Sequence, residues 1–228
     1  MDFAGHGGSQ HRLPGYDYVF VDWIHDVLDA MDSLDWQQAY LLGHSMGGAI
    51  ATIVAASAPE RINKLLLIEA LGPISGKAEE AGQRLRQAVA ARRYIAADKA
   101  ARVIPDLETA VNARLAASNM TRDAARMIVR RNLQEVENGF IWRSDPRMML
   151  PTHVRTDESF IRSWIRAIEA QTLVIAADPA PVYFTPEQRS ARLAELKDGR
   201  VAVIPGGHHL HMEKADEVGK VILDFLAE

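Results

Sequence analysis

Residues 39–58 have the sequence AYLLGHSMGGAIATIVAASA, in which a serine among glycines separates two apolar runs. The first run predicts a short buried strand from Ala39 to Leu42, and the second predicts a helix from Met46 to Ala58. Between them, Gly43-His44-Ser45-Met46-Gly47 has a glycine two residues before and two residues after a serine, a pattern typical of a sharp strand-to-helix turn. Small flanking residues let the strand and the helix approach closely. The stretch therefore predicts an α/β fold in which Ser45 is a nucleophile held above the edge of a sheet.

A serine nucleophile needs a base, and the base needs an acceptor that orients it. A histidine-rich loop, residues 205–213 with the sequence PGGHHLHME, lies between the last predicted strand and the last predicted helix. His208 in this loop is the candidate base, and His209 is the alternative. The backbone amide of Met46, at the start of the helix after the serine, is the candidate donor to an oxyanion.

The acid that would orient the base has two main candidates, each directly after a predicted strand. Asp178 is the favoured one, because it stands between the serine and the histidine in the chain order typical of this turn. Glu69 also lies at the carboxyl end of a strand and is the alternative. Asp145 and Asp157 are weaker candidates.

The histidine loop also contains a potential set of zinc ligands, namely His208, His209, His211 and Glu213. Metal sites of this kind usually draw ligands from more than one segment, and the chain has no His-Glu-x-x-His pair. The chain also has no cysteine, which removes thiolate-bound zinc. The sequence therefore predicts no metal site, and it predicts no cofactor.

The rest of the chain alternates strands and helices. The apolar patterning predicts strands at 39–42, 64–68, 172–177 and 201–204 and helices at 18–34, 46–58, 186–196 and 214–226. This alternation indicates a mostly parallel sheet covered by helices.

The region between residues 75 and 166 differs in character, because alanine and arginine are frequent and the patterning is helical. It leaves and rejoins the chain at strand ends, where sheets of this class place their ligands. We therefore expect a core of residues 1–73 and 169–228, and a helical cap or lid of residues 74–168 that roofs the site. His44 and, in the cap, Trp142 are candidate substrate contacts.

Composition and charge exclude several partners. The 228 residues carry 26 basic and 30 acidic side chains, and the formal net charge of −4 gives no field that attracts nucleic acid or anionic lipid. Residues 39–59 carry no charge and are long enough to cross a bilayer, but their central glycines and polar side chains argue against a membrane span. The first residues show no signal-peptide pattern, so a cytoplasmic location is expected.

Residues 2–9, 43–48 and 207–213 have the sequences DFAGHGGS, GHSMGG and GHHLHME. In this order they resemble the segment after the fourth strand, the nucleophile elbow and the histidine loop of the α/β-hydrolases, in particular of the capped serine hydrolase-like proteins. Residues 130–147 are similar to cap segments of that subgroup. The resemblance covers essentially the whole chain, and it implies the α/β-hydrolase fold with a helical cap inserted.

Compared with that family, the sequence begins late. Asp2 follows Met1 directly, where the family has several strands, a helix and a His-Gly loop that supplies the second oxyanion donor. The strand at 39–42 is then expected to expose an apolar edge, which favours association into a homo-oligomer. Loss of one oxyanion donor costs about a hundred- to a thousandfold in turnover. A misplaced translation start is the favoured explanation, and a truncation or a loss of catalysis are the others.

The expected function is a serine hydrolase that cleaves small or medium carboxylic esters through an acyl-enzyme. In this reaction Ser45 attacks the ester, His208 moves the proton and Asp178 holds the imidazole. The alternative is a catalytically weak or inactive α/β-hydrolase-like binding protein, because the His-Gly loop is missing.

Overall fold

The computed structural model describes residues 1–95 and 102–228, so residues 96–101 of the expected cap lie outside the described residues. The described chain forms two compact units. The sheet unit consists of Phe20–Lys77 and Thr156–Glu228, and the hairpin unit consists of Met1–Val19 and Ala78–Arg155. The division into a core and a cap of residues 74–168 stays a prediction.

The helices and strands follow one another along the described chain as α1 (Trp23–Ser33), β1 (Ala39–His44), α2 (Met46–Ser57), β2 (Ile62–Ile68), α3 (Ala81–Ile95), α4 (Leu107–Ala117), α5 (Arg122–Asn132), β3 (Leu133–Val136), β4 (Gly139–Trp142), α6 (Glu158–Arg166), β5 (Gln171–Asp178), α7 (Pro186–Leu193), β6 (Gly199–Pro205), α8 (Leu210–Glu213) and α9 (Ala215–Leu226). The predicted strands of the sheet unit are confirmed, and each extends beyond its predicted bounds at one or both ends. Among the described residues, no helix combines the length and the apolar character that crossing a membrane requires.

The sheet unit is built on parallel strands in the order β1-β2-β5-β6. The middle strands β2 and β5 are buried along almost their whole length, as expected of apolar strands that are covered on both faces. Helix α2 packs against β1 and β2, and its Ile50 and Val54 are fully buried. Because the strands are parallel, their carboxyl ends meet at one edge of the sheet, where α/β folds place their ligands.

Strand β1 forms one edge of this sheet and pairs with β2 on one side. Its side chains alternate in burial, and Tyr40 and Leu42 are 57% and 50% exposed. An edge of this kind presents backbone hydrogen-bonding groups beside apolar side chains, which is a template for pairing with another strand. Association of this chain through the β1 edge stays a prediction.

The hairpin unit contains an antiparallel pair that the helical patterning did not indicate. β3 and β4 pair with Leu133 opposite Trp142. Gly139, at the start of β4, has a φ of +135°, and a Cβ there would lie 2.2 Å from the carbonyl oxygen of Ile104. The two residues between the strands are Glu137 and Asn138, and Val136 pairs with Gly139 across the turn.

Candidate active site

Ser45 lies on the sharp turn between β1 and α2. Its φ of 54° and ψ of −118° form a conformation that residues with a side chain rarely adopt. Its amide donates a hydrogen bond of 2.9 Å to the carbonyl oxygen of Ile68 at the end of β2. Met46 is the first residue of α2, so its amide belongs to the N-terminal amides that find no acceptor within their helix. The turn is thus tied to the neighbouring strand beside a set of backbone donors.

The space around the turn explains two of its three glycines. A Cβ on Gly43 would lie 2.4 Å from the carbonyl oxygen of Gly47, and one on Gly48 would lie 2.9 Å from the carbonyl oxygen of Gly43. A Cβ on Gly47 would meet no described atom within 4 Å. The sequence predicts that both glycines flanking the serine lie where strand and helix approach closely. This is so for Gly43, whereas Gly47 faces open space.

His208 comes after β6 and reaches the serine. Its Nε2 lies 2.9 Å from the Oγ of Ser45. The next residue but one, Leu210, is fully buried and anchors the loop at the start of α8. His209, the alternative base, is buried at 6% exposure, and its ring packs beside that of His44 with 5.5 Å between the centroids. The structure thus brings His208 to Ser45 and holds His209 inside the loop.

Glu69 comes directly after β2, and its carboxylate reaches the other nitrogen of the His208 ring. Its Oε2 lies 3.4 Å from Nδ1 of His208, and its Oε1 accepts the amide of Ala177 at 2.6 Å. The residue is 2% exposed and has a φ of 56°. A buried carboxylate that is fixed by a backbone amide and touches an imidazole can orient that imidazole and stabilise its protonated form.

Asp178, the favoured acid from the sequence, ends β5. Its carbonyl oxygen accepts the amide of Gly206 at 3.0 Å, but its side chain is exposed. Within the described part of the chain, its carboxylate makes no hydrogen bond to His208. The geometry therefore connects Ser45, His208 and Glu69, and it leaves the Asp178 side chain outside this chain of contacts.

Tyr183, which is not among the residues predicted from the sequence, also reaches His208. Its Oη lies 2.7 Å from Nδ1, closer than the carboxylate of Glu69. Burial, and then the charge of Glu69, raises the pKa of Tyr183 to about 12, so the hydroxyl keeps its proton at neutral pH. A single tyrosine in the loop between β5 and α7 belongs to no motif, so no pattern in the sequence points to it.

His44 engages the histidine loop. Its Nε2 donates a hydrogen bond of 2.7 Å to the carbonyl oxygen of His208, and its ring lies 4.0 Å from that of His211 between centroids. Burial is the main cause that lowers the pKa of His44 to about 3, and burial also lowers the pKa of His211. The role of His44 as a substrate contact stays a prediction, as does that of Trp142, which lies on β4 of the hairpin unit and is 38% exposed.

Known proteins resemble this chain over its whole length. A sequence model of the family described as alpha/beta hydrolase fold matches residues 1–215. A serine hydrolase-like protein of Dictyostelium discoideum is 28% identical over 244 residues, which cover 100% of this chain and 66% of that protein. The esterase YbfF of Escherichia coli is 28% identical over 233 residues, which cover 99% of this chain and 81% of the esterase. The crystal structure of a hypothetical protein from Pseudomonas aeruginosa PAO1 superposes with a TM-score of 0.91 and 35% identity, over 100% of this chain and 81% of that chain.

Proposed function

Since this chain belongs to the α/β-hydrolase fold family, we propose that it is a serine hydrolase that cleaves small or medium carboxylic esters through an acyl-enzyme. The observation that carries the proposal is the 2.9 Å contact between the Oγ of Ser45 and Nε2 of His208. A serine hydroxyl becomes a nucleophile when a base within hydrogen-bond distance takes its proton. The similarity to an esterase and to serine hydrolase-like proteins supports the same reaction class.

The reaction proceeds in two halves. Ser45 Oγ attacks the acyl carbon while its proton passes to Nε2 of His208, and the amide of Met46 donates to the oxyanion that forms. The imidazolium then gives its proton to the departing alkoxide, which leaves as an alcohol. A water molecule, deprotonated by the same nitrogen, then attacks the acyl-enzyme. The bond from the acyl carbon to Oγ breaks, the imidazolium returns its proton to the Oγ of Ser45, and the carboxylic acid is released.

We propose Glu69, the alternative from the sequence, as the acid that orients His208. Its support is the contact of 3.4 Å with Nδ1, the nearly complete burial of the carboxylate and the hydrogen bond from Ala177 that fixes the other oxygen. Asp178 has none of these three properties. The exposed position of Asp178 favours a role at the surface of the loop that follows β5.

The second reading of the sequence, a catalytically weak binding protein, is the less favoured one. A protein that uses only its surfaces for recognition has no need of a base against a serine on a strained turn. The assembled contact between His208 and Ser45 therefore favours catalysis.

The experiment that tests the function is labelling with a fluorophosphonate, read by intact and peptide mass spectrometry. We expect about one adduct per chain, located on Ser45, because the probe reacts with an activated serine and needs little substrate specificity. Ser45→Ala should abolish the adduct, and Ser33→Ala, which changes an exposed serine at the end of α1, should keep it. A folded protein that takes up no label, or that takes it up equally after Ser45→Ala, would refute the proposal.

Esters of graded acyl length then identify the preferred substrate by the difference in hydrolysis rate between the unaltered protein and Ser45→Ala.

Tyr183→Phe is expected to raise kcat/KM for ester hydrolysis about two- to tenfold. The neutral hydroxyl can donate to Nδ1 of His208, which favours the tautomer that carries its proton on Nε2 and cannot accept the proton of Ser45. Removing one such hydrogen bond, worth about 0.5–1.5 kcal/mol, leaves Nδ1 to Glu69 alone. Steady-state kinetics measure this change in kcat/KM. Tyr40→Phe, on the exposed edge of β1, is the matched control and should leave kcat/KM unchanged. A tenfold fall in kcat/KM would mean instead that the hydroxyl holds the imidazole in its productive position.

A further inference from the structure

His44, His209 and His211 form a cluster that the proposed reaction does not use. Each offers one ring nitrogen, and these three nitrogens lie within 4.8 Å of one another. His44 comes from the end of β1, whereas the other two come from the loop and helix after β6. The sequence argued against a metal because the histidine loop is a single segment, and the fold adds the ligand from a second segment. We infer that this three-histidine cluster binds a divalent transition-metal ion such as Zn²⁺.

The state of the rings suits a metal ligand. The hydrogen bond from Nε2 of His44 to the carbonyl oxygen of His208 fixes the proton of the neutral ring on Nε2 and leaves the lone pair of Nδ1 free. Metal-binding histidines are commonly held in this way through their other nitrogen. Nδ1 of His211 is buried and finds no hydrogen-bond partner among the described residues.

The spacing is close to that of a zinc site. Three nitrogens around one zinc ion, at about 2.0–2.1 Å from the metal, lie about 3.4 Å from one another. The three ring nitrogens lie within 4.8 Å of one another, so they must approach by up to about 1.4 Å to reach that spacing. Imidazole ligands suit Zn²⁺, Cu²⁺ and Ni²⁺, and a water molecule would complete four-coordination. The negative charge of Glu213, which acts on His211, partly offsets the charge of the ion.

An ion at this cluster would stand next to the catalytic base. The ring of His208 lies 4.7 Å from that of His44 and 5.0 Å from that of His209. An ion bound to His44 and His209 would therefore hold the two residues that pack directly against the proposed base. We therefore expect the bound ion to inhibit ester hydrolysis. This expectation rests on the proposed function, whereas the expectation that the ion binds does not rest on it.

The test measures binding and activity separately, with the full chain and no histidine tag. Equilibrium dialysis against ZnCl₂, followed by metal analysis, should give about one Zn²⁺ per chain, and Co²⁺ should give the visible absorption of a four-coordinate site. His209→Ala and His211→Ala should each weaken Zn²⁺ binding at least tenfold. His25→Ala, which removes an exposed histidine of α1, should leave it unchanged. Thermal unfolding of each variant shows whether it is folded. The Co²⁺ spectrum is recorded on the unaltered protein, so it tests the metal site even if a variant does not fold.

Failure to bind Zn²⁺, a Co²⁺ spectrum of the hexaaqua ion only, or equal binding by folded His211→Ala would each overturn the metal site. In the activity arm, Zn²⁺ should inhibit hydrolysis and EDTA should restore it. A protein that binds Zn²⁺ but neither hydrolyses esters nor reacts with a fluorophosphonate would refute the proposed function and leave the metal site standing.

Discussion

Glu69→Gln is expected to lower kcat/KM for ester hydrolysis by about a hundred- to ten-thousandfold, whereas Asp178→Asn is expected to stay within about threefold of the unaltered protein. The two substitutions are matched, since each replaces a carboxylate at the end of a strand by its own amide. A glutamine at position 69 can still accept the amide of Ala177, but it carries no negative charge against the imidazolium of His208. The transition state would lose that charge, and the correct tautomer of the base would lose its acceptor.

Steady-state kinetics on one ester, with the labelling rate of Ser45 as a second measure, decide between the two carboxylates. Melting temperatures of both variants separate a catalytic loss from unfolding. A large loss in Asp178→Asn together with near-normal activity in Glu69→Gln would restore Asp178 as the acid. Equal, large losses in both folded variants would show that the loop after β5 also supports the site and would contradict the assignment to Glu69 alone.

Gly43→Ala is expected to destabilise the protein by about 2–4 kcal/mol and to abolish labelling of Ser45. The added Cβ would lie 2.4 Å from the carbonyl oxygen of Gly47, 2.6 Å from its carbonyl carbon and 2.7 Å from the amide nitrogen of Gly48. All three are backbone atoms, so the start of α2 must move away from β1, and the strained turn that holds the serine moves with it. Thermal unfolding should show a fall in Tm of about 5–15 °C.

Gly47→Ala is the matched control, because it adds the same methyl group four residues along the same turn. No described atom lies within 4 Å of the new Cβ, and alanine favours a helix over glycine by about 1 kcal/mol. We therefore expect an unchanged or slightly higher Tm and continued labelling. A Gly43→Ala protein that unfolds and reacts like Gly47→Ala would show that the turn tolerates a wider separation of strand and helix than its geometry indicates.

The sequence predicted the strands of the sheet unit and the turn at Ser45, because these features are local. An apolar run between turn residues, or a serine framed by glycines, can be recognised without knowing what packs against it. The choice between Asp178 and Glu69 is not local. Glu69 directly follows β2 and Asp178 ends β5, and only the tertiary fold places the Glu69 carboxylate 3.4 Å from Nδ1 of His208.

Two other features depended on contacts that a linear pattern does not contain. The tyrosine at position 183 acquires its importance from the 2.7 Å contact with a histidine 25 residues away in the sequence. The sequence predicts no metal site because the candidate ligands lie in one loop, whereas the fold adds a nitrogen of His44 from 165 residues or more away. In both cases the residue type was visible in the sequence, but its neighbours were set by the tertiary fold.

The proposed active site also depends on the register in which β1 pairs with β2. His44 lies opposite Ile68, so Ser45 and Glu69, each the residue directly after its strand, reach the site together only in this alignment. A slip of one residue between β1 and β2 would bring Ile68 or Ala70 to the place of Glu69. A misaligned chain could keep its helices and its compactness and still lack the acid beside His208. Specific activity after refolding therefore measures the fraction of molecules in which β1 and β2 pair in the correct register. Far-ultraviolet circular dichroism does not distinguish these molecules from molecules with a shifted register.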